Sequence, residues 1–523
     1  MIGYQFLLEI DAQTQEGVDI TLRYCCAPGY TGGGYTWEPY IVDPGLTRFT
    51  LFSGNRMSGV SESSYGNVVL GNFKSQDETS GPLDRLKTYR FYSRGCRMYV
   101  GLPTAPFSDT PINGLYGGFR RIYTAVLDTP SVNWDTVDFG LRSRQTELDV
   151  PFDTGVFLGN NVLPDGLEGN IDLKDKIKSA LLGRAFNFPL AICNSVKLIY
   201  AASPMTGLSV NEINSDFHIF DNGIELYCSA VVANIETAVS PPSGQFLAAS
   251  DGYIRCTPPI VGPLTCSAAS RGNALTAKPS NLIAAVLTDS GYADMIDSAS
   301  FAAFAAIDGY ERGIYLTNKP NVSTIIDSLM APLGYWYFSP TGKMVLGAVT
   351  DPANLNPIFA FGPNINIKSV VRRPAMDTEG GAPASRATVR YGRNYTVQAQ
   401  PAGDVSAERK AWLADEWRLH SVDADPATIQ PISKEMIFDS ACTHNNDFHA
   451  PELAALFCVE RELVDIELEL LAPEVFLDVA ALVQGDCVTL DLNGRFGYSG
   501  KHMIVAAGVI NWKAETATIT LWG

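Results

Sequence analysis

Two histidines and an aspartate fall within six residues in His444-Asn445-Asn446-Asp447-Phe448-His449. Such a cluster could hold a divalent metal if His444 and His449 met at one point. Their i, i+5 spacing suits neither a helix face nor a strand face, so the reading preferred is a polar loop capping a helix that carries Pro451, with Asp447 at its N-terminus. A second cluster is the carboxylate run Glu460, Glu462, Asp465, Glu467 and Glu469. It could contain the acid and base of a glycosidase, although a solvated face is the ordinary reading of such a run. A third is aromatic: the loop Tyr30 to Tyr40, with Tyr35 and Trp37 as possible sugar or partner contacts, and the triplet Tyr335-Trp336-Tyr337. These rings could stack on sugars, or be buried in a core or a subunit contact.

No catalytic residue, cofactor site or metal site is assigned. The chain has no P-loop, no G-x-S-x-G elbow, no H-E-x-x-H and no strand-linked G-x-G-x-x-G. Its ten cysteines form no C-x2-C pair; Cys25 and Cys26 are adjacent, and Cys256 and Cys266 share a Pro-rich loop. Reduced, buried thiols in a protein made in the cytoplasm are expected, and a site built from distant cysteines, iron–sulfur included, would leave no local spacing to read.

The elements that must position these groups are those of a multidomain protein. A chain of 523 residues exceeds one compact core, and 46% hydrophobic with 18% charged residues describes a globular, strand- and loop-rich fold. No apolar run is long enough to cross a bilayer, and the start MIGYQFLLEID lacks the regions of a signal peptide. A net charge of -18 argues against gripping nucleic acid phosphates.

Alternation of Ile2, Tyr4, Phe6, Leu8 and Ile10 predicts a half-buried strand, and Ile20, Leu22, Tyr24 and Cys26 a second. Tyr30 to Tyr40 reads as a loop without periodicity. Residues 1–155 are expected to form an antiparallel β domain and 156–275 a second β-rich module. Residues 276–375 read as a small α+β module: helical SNLIAAVL and SASFAAFAA, a helix Val322 to Met330 with apolar residues at i, i+3, i+4, i+7 and i+8, then a hairpin turning at Pro340 to Gly342. The loop TEGGAPAS marks a boundary before the last segment, 376–523. There, RATVRYGRN predicts a strand. Ser406 caps a helix carrying Trp412, Leu413 and Trp417, and a later helix has the stripe Leu456, Val459 and Leu463. In the final strand Ala517, Ile519 and Leu521 oppose Thr518, Thr520 and Trp522. Asn133-Trp134 and Asn511-Trp512 both precede an alternating strand, an echo that is either chance or a duplicated β module.

Four segments, in order, resemble the hub or tip proteins of tailed-bacteriophage baseplates. The first, VVLGNFKSQDETSGPLDRLKTYRFYSRGCRMYVG, carries Leu70, Asn72, Leu83, Asp84, Leu86, Tyr89, Arg94, Gly95 and Val100, with QDETSG in place of a shorter Asp-Gly turn and Ser93-Arg94-Gly95 in place of Asp-Gly-Arg. The others are Gly313 to Gly347, VRYGRNYTVQ with SAERKAWLADEWR, and the ending, which includes Arg495-Phe496-Gly497 and Leu521-Trp522-Gly523. The resemblance implies a mainly β fold with α+β parts: two related antiparallel β-barrel-like hub domains, 1–155 and 376–523, the latter with helices, plus the β-rich insertion and the α+β module. It implies a structural protein of the virion, at the tail tip or baseplate, assembled in the host cytoplasm. The partners it implies are two sister copies in a homotrimeric ring, distal tail or tail-tube proteins, the tape measure protein and central tip or fibre proteins, with genomic DNA passing unbound. A sugar-binding tip module and a tip-borne cell-wall hydrolase are the alternatives.

Overall fold

The computed structural model describes residues 3–51, 61–74, 80–153, 155–208, 217–270, 277–362, 365, 367–375, 382–444, 449–469 and 473–523, with side chains from 475 onward in the last of these. The protein is mainly β, in several sheets that include two half-barrels, with few helices. It divides into two compact units. Unit one comprises Met1–Leu148, Tyr335–Pro383 and Glu460–Gly523; unit two comprises Asp149–Gly334 and Ala384–Val459. The units are interleaved along the chain, where four consecutive segments were expected. The expected α+β module parts between Gly334 and Tyr335, and the helix capped by Ser406 belongs to unit two.

Unit one holds a four-stranded sheet, in the order Ser131–Val132, Thr136–Phe139, Val68–Gly71, Ile41–Asp43, and two larger ones. The first of the larger two has strand order Phe107–Ile112, Leu115–Gly117, Phe119–Leu127, Gly95–Gly101, Gln5–Gln13, Asp19–Cys25, with Leu141–Ser143 beside Phe119–Leu127. The second runs Phe359–Phe361, Cys487–Leu490, Lys501–Asn511, Thr516–Trp522, Glu462–Glu469, Ile367–Pro374. Leu46–Thr50, from the N-terminal part of the chain, also pairs with Lys501–Asn511. The two expected hub regions therefore share backbone hydrogen bonds, and their inner faces pack into one core.

The strand Gln5–Gln13 shows how local pattern meets tertiary demand. Phe6, Leu8, Ile10 and Ala12 point into that core, as their alternation predicts. The opposite face is covered too. Leu7 packs with Trp37, Tyr99, Phe107 and Phe119, while the buried Glu9 accepts from Arg23 Nε at 3.1 Å and Arg97 Nε at 3.0 Å. The strand is thus buried on both faces, a correction to the half-buried expectation for its described residues; Ile2 lies outside them.

The core's aromatic centre joins the two larger sheets. Tyr4 stacks on Phe476 at 3.9 Å between ring centroids, and Phe476 meets Trp512 edge-on at 5.3 Å. Phe6 completes the group, 6.1 Å from Trp512. Trp134, the other member of the sequence echo, is 87% exposed against 1% for Trp512. The two Asn-Trp pairs both lie at hairpin ends, yet their indoles do opposite things.

Asp486, just before the strand Cys487–Leu490, lies near Tyr335; burial raises its pKa to about 6, against a stabilising hydrogen bond from Val483 N at 2.8 Å. A carboxyl whose folded pKa is raised contributes stability below its ordinary value of 3.8 that is lost as pH rises through about 6. Asp486→Asn is expected to stabilise unit one by about 1–2 kcal/mol at pH 7.5, after discounting for partial exposure, and by nothing at pH 4. Urea unfolding at the two pH values checks this.

Unit two holds a nine-stranded sheet, from Ala191–Asn194 at one edge to Gly313–Leu316 at the other, and a three-stranded sheet centred on Arg386–Tyr391. The helix Val322–Met330 forms as its spacing predicts, with Val322, Ile325, Ile326, Leu329 and Met330 all buried. Ser406 Oγ accepts from Arg409 N at 3.2 Å, capping Ala407–Ala414. That helix ends before Trp417. The helix His449–Phe457 likewise ends before Val459, and Leu463 belongs to the strand Glu462–Glu469, where pairing with two neighbours overrides the helical stripe. The first half of TEGGAPAS lies outside the described residues.

Candidate functional site

The first motif segment folds around one buried amide. Asn72, 2% exposed, accepts from Leu83 N at 2.8 Å through Oδ1 and donates to Asp84 Oδ1 at 2.9 Å through Nδ2. Gly81 N donates to Asp84 Oδ2 at 3.0 Å, and the Asn72 bond, followed by this one, holds the Asp84 carboxyl below its usual range. Leu70, Leu83, Leu86 and Val100 sit in the shared core beneath. Ser93 takes a left-handed φ of 61°, and Arg94 Nη1 reaches Asp19 Oδ1 at 2.8 Å. A Cβ on Gly95 would lie 2.7 Å from Asp11 Oδ2, the carboxylate that binds Arg97. Glycine at 95 thus makes room for a partly exposed ion pair. Most of the QDETSG loop lies outside the described residues.

Arg495, Phe496 and Gly497 form a tight turn closed by Gly494 N and Leu492 N donating to Tyr498 O. Phe496 has φ 57°, a left-handed conformation costly for an aromatic residue, and is 51% exposed. An outward-facing ring on strained backbone is a feature of contact surfaces more than of cores.

The aromatic stretch Tyr30 to Tyr40 is not an irregular loop. Tyr30–Gly32 pairs with Tyr35–Trp37 across Gly33 and Gly34, both at positive φ, and the Gly-Gly dipeptide was the missed signal. Trp37 is 1% exposed and packs against Phe107 at 5.2 Å, so it offers no face to a sugar. Tyr35 does reach the surface, with Arg23 stacked on its ring at 3.6 Å and its hydroxyl donating to Asp109. Tyr335, Trp336 and Tyr337 are all buried.

The carboxylate run lies on the strand Glu462–Glu469, apart from Glu460 two residues before it. Val464, Ile466 and Leu468 enter the core, while the acids meet basic residues: Glu462 with Lys501 at 2.6 Å and with Arg372, Asp465 with Arg373 at 2.9 Å, and Glu467 with Lys368 at 2.8 Å. The face is a ladder of ion pairs, mostly across strands.

In unit two, His449 and His444 point to different partners, and Asn445 to Phe448 lie outside the described residues. His449 is fully buried: Nε2 is 3.0 Å from Asp308 Oδ2, and Nδ1 is 3.7 Å from Cys442 Sγ. Arg312 binds the same carboxylate and donates to Ala331 O. Cys-His-Asp in this order resembles a nucleophile, base and orienting acid. Burial of the Cys442 thiol raises its pKa, however, and both His449 and Asp308 are 0% exposed, so no substrate reaches the sulfur. The cluster is a structural one. All ten cysteines are free and nine are buried; among the described residues no group of three or more metal-ligating side chains is present.

His444 instead binds Glu311 Oε2 at 3.0 Å, beside Arg184 at 3.2 Å. Arg184 and Thr443 line a cavity of about 450 Å³ in unit two, together with His218, Glu225, Arg409 and Arg418. It is not legible in the sequence, because its walls come from segments more than two hundred residues apart.

No protein-family model and no curated protein matches the chain. Among solved structures it is similar to a 43 kDa tail protein of prophage MuSo2 from Shewanella oneidensis, at 9% identity and TM-score 0.36, covering 99% of this chain and 98% of that one. It is similar to a tail protein from Neisseria meningitidis MC58, at 8% identity and TM-score 0.38, covering 100% and 97%. A chain of the virion of a native gene transfer agent particle is 11% identical at TM-score 0.41, covering 67% of this chain and 84% of that one. No helix among the described residues is long and apolar enough to cross a membrane.

Proposed function

We propose that the protein is a structural component of a bacteriophage tail, a hub subunit at the baseplate or tail tip that works by shape and assembly without turnover. The observation that carries this reading is the ordered set of four resembling segments, the first of which is one wired unit around Asn72 and Asp84. The two larger sheets of unit one are the two hub domains. Three copies close into a ring that joins the tail tube to the tip and its receptor-binding apparatus, contacting tube, tape measure and fibre proteins. The net charge of -18 suits a passage through which DNA slides without binding, since a basic lining would release counterions and hold it. Assembly in the host cytoplasm and residence in the virion belong to the same reading. Asp84, Arg94 and Gly95 fix the fold of the first hub domain; Arg495, Phe496 and Gly497 present a contact between copies.

Phe496→Gly tests this. Glycine relieves the positive φ, so the melting temperature is expected to stay level or rise, while the trimer fraction in analytical ultracentrifugation falls at least tenfold. A wild-type protein that remains monomeric in that experiment, and forms no three-copy ring in electron micrographs of tails, would refute the hub assignment.

A further inference from the structure

We infer that the unit-two cavity lined by Arg184, Arg409 and Arg418 binds an acidic sugar, its carboxylate held by the guanidinium groups and its hydroxyls by Glu225. The inference stands on this cavity alone and does not need the tail reading.

The guanidinium groups are held in place before any ligand arrives. Arg409 Cζ lies 4.2 Å from the Phe220 ring centroid and 4.4 Å from that of Trp412; Arg418 Cζ lies 4.7 Å from the same indole. Stacked guanidinium planes lose little entropy on binding an oxyanion with two parallel hydrogen bonds. Gly392, at φ 55°, leaves room for Arg418, whose Cγ would be 3.3 Å from a Cβ there.

Among the described residues, their present partners leave only Arg409 without an ion pair. Arg184 pairs with Glu311, and Arg418 lies 3.8 Å from Asp415 Oδ2 through Nη1 while its Nη2 donates to the carbonyls of Trp412 and Asp415. Arg409 forms no ion pair among the described residues, and its buried Nε and Nη2 have no hydrogen-bond partner there. Burial pulls the pKa of both Arg409 and Arg418 down, against the opposing charges of Glu225 and Asp415. In a chain so rich in acid, a recess in which Glu311 and Asp415 take up Arg184 and Arg418 while no carboxylate among the described residues pairs directly with Arg409 offers that guanidinium to an anion.

The carboxylate of Glu225 decides which anion. Glu225, paired with His218 Nδ1 at 2.5 Å, is about half exposed on the cavity wall. It repels any anion, and a doubly charged phosphate or a run of acidic side chains more than a single carboxylate. A uronic acid carries hydroxyl donors that Glu225 can accept as well as a carboxylate for Arg409, and a cavity of about 450 Å³ admits one sugar ring.

Isothermal titration calorimetry of the full chain with methyl glucuronide, methyl glucoside, inorganic phosphate and tetraglutamate tests the assignment. Saturable binding of the glucuronide, at least tenfold tighter than the other three, is expected. Arg409→Gln should weaken it at least tenfold with an unchanged melting temperature, and Arg409→Lys should weaken it less. Glu225→Gln should weaken the glucuronide and strengthen phosphate. The inference is overturned if the glucuronide does not bind, if Arg409→Gln binds it equally well, or if phosphate or the peptide binds as tightly.

Discussion

Replacing Arg312 with methionine is expected to cost unit two about 3–5 kcal/mol of stability, among the largest effects of any single substitution in this protein. Arg312 and Asp308 are both 0% exposed, and burial alone would drive the Asp308 carboxyl up. Instead Arg312, with the His449 hydrogen bond, holds its pKa at about 2. In the wild type a depressed folded pKa contributes stability above the ordinary value of 3.8 that is lost as pH falls through about 2. Without the guanidinium, Asp308 is a buried acid left with His449 and the Tyr310 backbone amide and must take up a proton, so the loss should be greater at pH 7 than at pH 4. Urea unfolding of the variant at both pH values gives the comparison. The double variant Arg312→Met, Asp308→Leu is expected to recover most of the loss, because it leaves no charge stranded. Equal destabilisation at pH 4 and 7 would mean that lost packing, and not the carboxylate, sets the cost.

Trp512→Ala should remove a similar amount, about 3–5 kcal/mol, from unit one. The indole is 1% exposed and contacts Phe6 and Phe476 where strands of the two larger sheets share their core. The matching change at Trp134, 87% exposed, is expected to stay within about 0.5 kcal/mol. Thermal unfolding of the pair measures directly how unlike the two echoed dipeptides are. Comparable losses at both positions would mean that Trp134 is covered in solution.

What the sequence discloses here follows the range of the forces involved. The helix Val322–Met330, the hairpin Gly334–Phe338 with Met344–Ala348 and the Ser406 cap depend on residues a few positions apart, and all are legible in the spacing. The ends of the helices at Ala414 and Phe457 are not, because neither is marked by Gly or Pro; strand pairing stops them. The interleaving of the units is invisible for the same reason, since Leu46–Thr50 alternates like any edge strand and nothing nearby names its partner. Of the site residues, Gly95 and Asp84 could be picked out from their motif, and their roles make sense only beside Asp11 and Asn72. Arg184 lies more than two hundred residues from Arg409 and Arg418 in the sequence, and only the fold makes the three a group.

The pairing of Leu46–Thr50 with Lys501–Asn511 also sets the order of events during synthesis. A ribosome finishing a chain at roughly 5–20 residues per second will have exposed the early strand for tens of seconds before its mate emerges. Through that interval an unpaired edge stands open to other nascent chains, and a chaperone is the natural guard for it. A polypeptide broken off before residue 501 can never satisfy that edge, so prematurely terminated copies are barred from passing as finished ones.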